Sequence, residues 1–119
     1  MTIHTTTSRS ADPALHAQGL FIGGRWEPGA GIPVLDPSTG RMLAEVPDAS
    51  IGDAMRAVDA AEAAAAGWRA TPPRQRSEIL RRWFQLMSEH AEVLAGLISL
   101  ENGKALTDAR GEVAYAAEF

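Results

Sequence analysis

The side chains that could do chemistry in this protein form a short list. There are three histidines, His4, His16 and His90, one lysine, Lys104, and no cysteine. Without a thiol there can be no disulfide, no thiolate metal site and no sulfur nucleophile. His4 and His16 lie in the N-terminal stretch and His90 far along the chain, with no second ligand at metal spacing, so a histidine metal site is not expected. His90, beside Ala91, is expected to border a packed face. None of the serines stands on a nucleophile elbow or beside a basic partner. The segment GAGIPV, Gly29 to Val34, has two of the three glycines of a dinucleotide-binding turn. It also contains a proline and no helix follows, so it reads as a plain loop rather than a phosphate cradle. Lys104 belongs to no phosphate-binding lysine loop. From the residues themselves, then, no catalytic and no cofactor-binding group is assigned.

Charge narrows the partners further. Fifteen acids against eleven bases leave a net charge of −4 over 119 residues, which offers no bulk attraction to nucleic acid or to anionic membranes. The best local case for nucleic acid is Arg69, Arg74, Arg76, Arg81 and Arg82, grouped between Trp68 and Trp83. On a helix their directions diverge and Glu78 lies among them, so a solvated face with ion pairs is expected. No apolar run approaches the roughly 18 residues of a membrane span, and the opening MTIHTTTSRSADPALHAQG lacks a secretory core. It resembles an organelle transit peptide only faintly, and residues 1–18 are expected to form a disordered tail on a cytoplasmic protein.

The positioning elements follow from turn chemistry and periodicity. LFIGGRW places Gly23 and Gly24 between two short apolar runs, the pattern of a two-residue hairpin that needs positive φ. A second hairpin is expected around Pro37–Ser38–Thr39–Gly40 in IPVLDPSTGRMLAEVP, with Pro33 and Pro47 as the outer limits of its strands. Ser50, with Asp53 three residues on, predicts a capped helix whose stripe is Ile51, Met55, Val58, Ala61 and Ala65, ending at Gly67. Its alanine run predicts close approach to a neighbouring element. Thr71 and Pro72 open a long second helix, with Pro72 at the first helical position. Leu80, Trp83, Met87, Ala91, Leu94 and Ile98 lie along one face, and Asn102 and Gly103 end it.

A third helix follows, LTDARGEVAYAAEF, in which Leu106, Ala109, Val113 and Ala117 recur at helical spacing. No helix-ending signal follows, and its last turn carries Glu118 instead of a base. Tyr115 and Phe119 share a different stripe with Asp108 and Glu112, so both faces want neighbours. The expectation is a helix interrupted by truncation, its aromatic side made to meet residues outside this chain.

Taken in order, FIGGRW, LDPSTGRMLAEVP, WRATPPRQRSEILRRWFQLM and LENGKAL resemble the opening of an aldehyde dehydrogenase, and the stretch from Arg76 to Phe119 is most similar to succinate-semialdehyde dehydrogenases, with glutarate-semialdehyde enzymes as close relatives. The resemblance covers Gly19 to Phe119. Two departures stand out: Asp36 replaces the asparagine of the family's NPSTG-like turn, and Ala105 replaces its proline after GK.

The resemblance implies an α/β fold of which this chain supplies two β-hairpins and three helices, residues 19–119 being an incomplete N-terminal part. It implies an NAD- or NADP-dependent oxidoreductase that takes a small aldehyde to its acid, with a cysteine thiolate as nucleophile and a full-length homo-oligomer. The cysteine, the glutamate that activates water, the oxyanion asparagine and the cofactor loop come later in such enzymes, so no activity and no cofactor binding are expected of this segment alone. It further implies a monovalent-cation site at Val34, Leu35 and Glu101, and Tyr115 and Phe119 at the mouth of the substrate tunnel. Glu101 has a second reading, an ion pair with Lys104 three residues on. The alternative function is a helical interaction module that pairs with a separately encoded remainder or with itself.

Overall fold

The computed structural model describes residues 19–119; the expected tail, the transit-peptide resemblance, His4 and His16 fall outside them. The first hairpin pairs β1 (Leu20–Ile22) with β2 (Arg25–Glu27) antiparallel, with Ile22 opposite Arg25. Gly23 and Gly24 both take positive φ, 57° and 79°, the left-handed pair that a two-residue turn requires. The second pairs β3 (Ala30–Leu35) with β4 (Met42–Asp48), with a register irregularity between Val34 and Leu35.

Two expectations about this ribbon are corrected. GAGIPV is not a loop, because Ala30–Leu35 is strand throughout. Nor do the prolines mark its limits: Pro33 lies inside β3 opposite Glu45, and Pro47 lies inside β4 opposite Gly31. A two-stranded ribbon has an open edge on both sides, and a proline that turns its missing N–H outward costs the ladder nothing.

The turn between these strands is held by one carboxylate. Asp36 accepts from the Ser38 N–H at 2.8 Å, the Ser38 hydroxyl at 2.6 Å and the Thr39 hydroxyl at 2.8 Å. Those hydrogen bonds, the Ser38 hydroxyl first, lower its pKa.

Helix α1 (Ile51–Ala70) starts with a full capping box: the Ser50 hydroxyl accepts from the Asp53 N–H, and the Asp53 carboxylate accepts from the Ser50 N–H at 2.8 Å. It runs three residues past the expected end at Gly67, because the Thr71 N–H and hydroxyl both return to the Gly67 carbonyl, at 3.1 and 3.0 Å. Hydrogen bonds from Ser50 depress the Asp53 pKa, with Arg56 2.8 Å away adding to the effect. A depressed carboxylate stabilises above its unfolded pKa, and that contribution is lost as pH falls through the lower, folded value. Acid titration below about pH 4 is therefore expected to fray the start of α1 first, as loss of helical circular dichroism. Ser50→Ala at neutral pH should cost about 1 kcal/mol of helix stability and should leave Asp53 closer to its ordinary range.

The expected long second helix is two helices, α2 (Pro73–Glu89) and α3 (Ala91–Asn102), so the fold has four helices among the described residues rather than three. The joint is His90, at φ −102° and ψ 13°. Its N–H closes α2 on the Leu86 carbonyl, and its own carbonyl accepts the first bond of α3 from Leu94. His90 is exposed, not bordering a packed face. Pro72 is the cap of α2, and Pro73 takes the first helical position.

The break lets α3 leave the line of α2 and pack antiparallel against α4 (Leu106–Ala117). This contact holds the core: Ala95 and Ala109 are fully buried, Val113 nearly so, and Ala91, Leu94, Ile98 and Leu106 close around them. Small residues at the contact let the two backbones approach. The Arg110 guanidinium straps the pair with two 2.8 Å bonds to the Glu92 carboxylate. That contact lowers the Glu92 pKa and raises that of Arg110.

Elsewhere the packing is thin. The alanine face of α1 meets the first hairpin, where a side chain at Gly23 would sit 3.8 Å from the Ala60 methyl. Ile51, Met55 and Val58 stay exposed. The radius of gyration is 18.0 Å, against about 13 Å for a self-contained domain of this size. The chain is a set of elements around one small core, with wide apolar faces left over.

Candidate functional site

Three places in the fold answer to the candidates: the end of α3 beside the β3–β4 turn, the arginine face of α2, and the groove between α2 and α4.

At the first, Gly103 ends α3 in the left-handed conformation, φ 75°, and its N–H bonds the Ser99 carbonyl at 3.0 Å. The Ser99 hydroxyl in turn reaches the Lys104 carbonyl at 2.8 Å. A Cβ on Gly103 would lie 3.0 Å from Pro37 Cγ, so this helix end abuts the turn that follows Val34 and Leu35. Among the described residues no backbone N–H reaches the Leu100, Glu101 or Asn102 carbonyls, as befits the last turn of a helix. Val34 is partly buried, while Leu35 and Glu101 are exposed.

The alternative reading of Glu101 as the partner of Lys104 is corrected. The Lys104 ammonium instead pairs with Glu112, one helix on. With Lys104 at the entrance to α4, Glu112 in the second turn lies within reach, whereas the left-handed step at Gly103 separates Lys104 from the face of α3 that carries Glu101.

Gly103 and Gly24 make a controlled comparison. Both have positive φ, but Gly24 has nothing within 4 Å of a built Cβ. Gly24→Ala should lose only the left-handed cost of about 1–2 kcal/mol. Gly103→Ala should lose that and the Pro37 contact as well, giving the lower thermal midpoint of the two.

The arginine face of α2 is a solvated one, as the spacing predicts. Arg74 pairs with Glu78 at 3.1 Å and Arg82 with Glu89 at 3.3 Å, and Arg76 lies 6.0 Å from the Trp68 ring centroid. Pairs this exposed stabilise little, and they discharge the face rather than concentrate it.

The third place was not found by sequence reasoning as a groove. Ser77, Leu80, Arg81, Trp83, Phe84 and Met87 of α2 face the last four residues, Ala116 to Phe119, across a space of about 350 Å³. Trp83 is 63% exposed and Phe119 91%. The Tyr115 and Phe119 rings stack edge-on at 4.9 Å, with Tyr115 69% exposed. The stripe spacing pointed to the aromatic pair; that α2 forms the opposite wall depends on the bend at His90.

No set of three histidine, cysteine or acidic side chains gathers among the described residues to hold a metal. Nor do these residues suit a dinucleotide: of the glycines of GAGIPV, Gly31 lies in β3 and Gly29 directly before it, and neither opens a helix whose N-terminus could face a pyrophosphate. No helix among the described residues is long and apolar enough to cross a membrane.

The fold and sequence have close counterparts. The chain is 42% identical over 111 residues to glutarate-semialdehyde dehydrogenase of Pseudomonas putida, covering 91% of this chain and 23% of that protein. It is equally identical over the same length to the NADP(+) succinate-semialdehyde dehydrogenase of Escherichia coli K12, with the same coverage. The crystal structure of succinate-semialdehyde dehydrogenase from Burkholderia pseudomallei superposes with a TM-score of 0.85 at 43% identity, over 89% of this chain and 23% of that one. The chain thus spans about a quarter of the length of the relatives it matches. The family model described as "Aldehyde dehydrogenase family" matches residues 26–119, from the middle of β2 onward, and the chain belongs to that family.

Proposed function

We propose that this chain is the N-terminal segment of an NAD(P)-dependent semialdehyde dehydrogenase, which oxidises succinate semialdehyde or a similar small aldehyde to its acid, and that it has no turnover by itself. The observation that carries this reading is the 42% identity, sustained over 91% of the chain, to enzymes named for glutarate and succinate semialdehyde. Residues 19–119 are then an incomplete N-terminal part of the family fold. The complete enzyme is a cytoplasmic homo-oligomer whose cofactor, NAD or NADP, supplies the hydride acceptor.

Within that reading the chain's own contribution is structural at two points. Tyr115 and Phe119 flank the mouth of the substrate tunnel; their exposure on one stripe of α4 supports the assignment. Val34, Leu35 and Glu101 serve a monovalent cation. The approach of Gly103 to Pro37 and the unpaired carbonyls at the end of α3 support that second assignment, since hard cations take oxygen ligands. The comparisons favour this reading over a free-standing helical interaction module.

The test is a graft. Residues 19–119 replace the matching stretch of the Pseudomonas putida enzyme, and oxidation of glutarate semialdehyde is followed through the reduced nicotinamide. A soluble, active chimera is expected, and one that is insoluble or inert would refute the placement.

A further inference from the structure

We propose that Asn102–Gly103 is a covalent switch at the end of α3: the Gly103 nitrogen displaces the Asn102 side-chain amide, and the aspartyl or isoaspartyl residue that results releases this helix end from the β3–β4 turn. The inference holds whether or not the family placement does.

The sequence supplies the reactants once. Asn102 is the chain's only asparagine, glycine follows it with no side chain to obstruct attack, and no Asp–Gly step elsewhere would reach the same intermediate. Asn102 and Gly103 are both exposed, so water reaches them. The Gly103 nitrogen bonds to Asn102 Cγ, the Cγ–Nδ2 bond breaks, and the amide leaves as ammonia with the proton from Gly103. A cyclic succinimide remains. Water then opens it in one of two ways. Attack at Cγ restores the main chain and leaves aspartate, whereas attack at the Asn102 main-chain carbonyl reroutes the main chain through Cγ as isoaspartate. No oxidant or reductant takes part.

The fold sets the rate. Asn102 is the last residue of α3, and the Gly103 N–H is engaged with the Ser99 carbonyl at 3.0 Å. Cyclisation needs that nitrogen deprotonated and the Asn102 backbone turned out of the helix, so it waits until the last turn opens. The Ser99 hydroxyl resists opening by donating to the Lys104 carbonyl at 2.8 Å. Against it, the last turn carries no basic residue and does carry Glu101, which the negative pole of the helix disfavours. The site is closed but lightly held.

The product cannot keep the parent's contacts. Either form sets a new carboxylate beside Glu101 at the same negative pole. Isoaspartate also lengthens the main chain by a methylene just ahead of Gly103, where space is tight: a Cβ built on Gly103 would lie 3.0 Å from Pro37 Cγ. A displaced Gly103 gives up its bond to Ser99 or its seat against the turn.

The 119-residue chain is incubated in mildly alkaline buffer, folded or in urea, and its tryptic peptide 83–104 is followed by mass and for isoaspartate. Conversion is expected in the folded chain, at least about tenfold slower than in urea. Ser99→Ala should convert about fivefold faster than the folded parent, the population shift that one net hydrogen bond brings. Asn102→Gln should stay unmodified. The converted form, separated by its extra negative charge, should melt about 2–4 °C below the parent. A folded chain that stays intact while the urea sample converts overturns the proposal, and so does a folded rate equal to the unfolded one. A folded Ser99→Ala protein that converts no faster, a converted form that melts with the parent, or the same charge gain in Asn102→Gln overturns it as well. Should Ser99→Ala fail to fold, the parent in sub-denaturing urea decides: conversion must rise in step with hydrogen exchange at the Gly103 amide, and conversion indifferent to that exchange refutes the gate.

Discussion

The 119-residue protein, purified and mixed with succinate or glutarate semialdehyde and NAD or NADP, is expected to form no reduced nicotinamide above background. The chemistry implied by the resemblance begins with a thiolate adding to the aldehyde carbonyl, and the chain contains no cysteine. The remaining groups do not substitute for it. Lys104 is engaged with Glu112, and His90 is an exposed joint between helices whose backbone, not its ring, is what the fold uses. The serines that make hydrogen bonds are committed to turns and helix ends: Ser38 to Asp36, Ser50 to Asp53, Ser88 to the Phe84 carbonyl and Ser99 to the Lys104 carbonyl. Loss of a nucleophile alone removes on the order of 10⁶ in rate where it has been measured by substitution. The deficit against an intact relative should be at least that large. Turnover that survives further purification, scales with protein and is abolished by a substitution in this chain would contradict the reading at its base.

What was legible in the sequence was local. Gly23 and Gly24, Gly40 and Gly103 all take the left-handed conformation that turn and cap chemistry assigns them. Ser50 and Asp53 form the capping box that their spacing spells out. The Leu106, Ala109 and Val113 stripe faces inward, and Tyr115 and Phe119 face out. These features depend on residues within about four positions of one another, so one stretch of sequence contains all the information.

What was missed depends on contacts made at a distance. Nothing near His90 breaks a helix by propensity, since Ser88, Glu89 and Ala91 are all compatible with one. The bend exists because α3 is apolar around much of its surface and finds α4 only by leaving the axis of α2. The groove follows from the same bend, whereas the pairing of Lys104 with Glu112 instead of Glu101 follows from the left-handed step at Gly103. Pro33 and Pro47 were misplaced for a related reason: whether a proline ends a strand depends on whether a third strand lies beside it, and here none does among the described residues.

Because the only close-packed centre among the described residues is the α3–α4 contact, one substitution there should outweigh any on the larger exposed faces. Val113→Asp would set a carboxylate against Ala95 and Ala109, where the side chain is 4% exposed. No basic group lies within that cluster to compensate it. An unpaired charge so placed costs at least about 3 kcal/mol even if it protonates instead, and small domains have only about 5–15 kcal/mol in all. A protein with a core of this size should sit at or below the low end of that range, so the variant is expected to lose its cooperative melt altogether. Ile51→Asp makes the same chemical change on a side chain 86% exposed and should stay within about 0.5 kcal/mol of the parent. The pair separates two pictures of the molecule, because both substitutions remove an aliphatic side chain and add one negative charge to a chain already at −4. If net charge governed stability the two would behave alike. If the small α3–α4 core governs it, only Val113→Asp unfolds, and a Val113→Asp protein that melts like the parent would mean that the organising contact lies somewhere else.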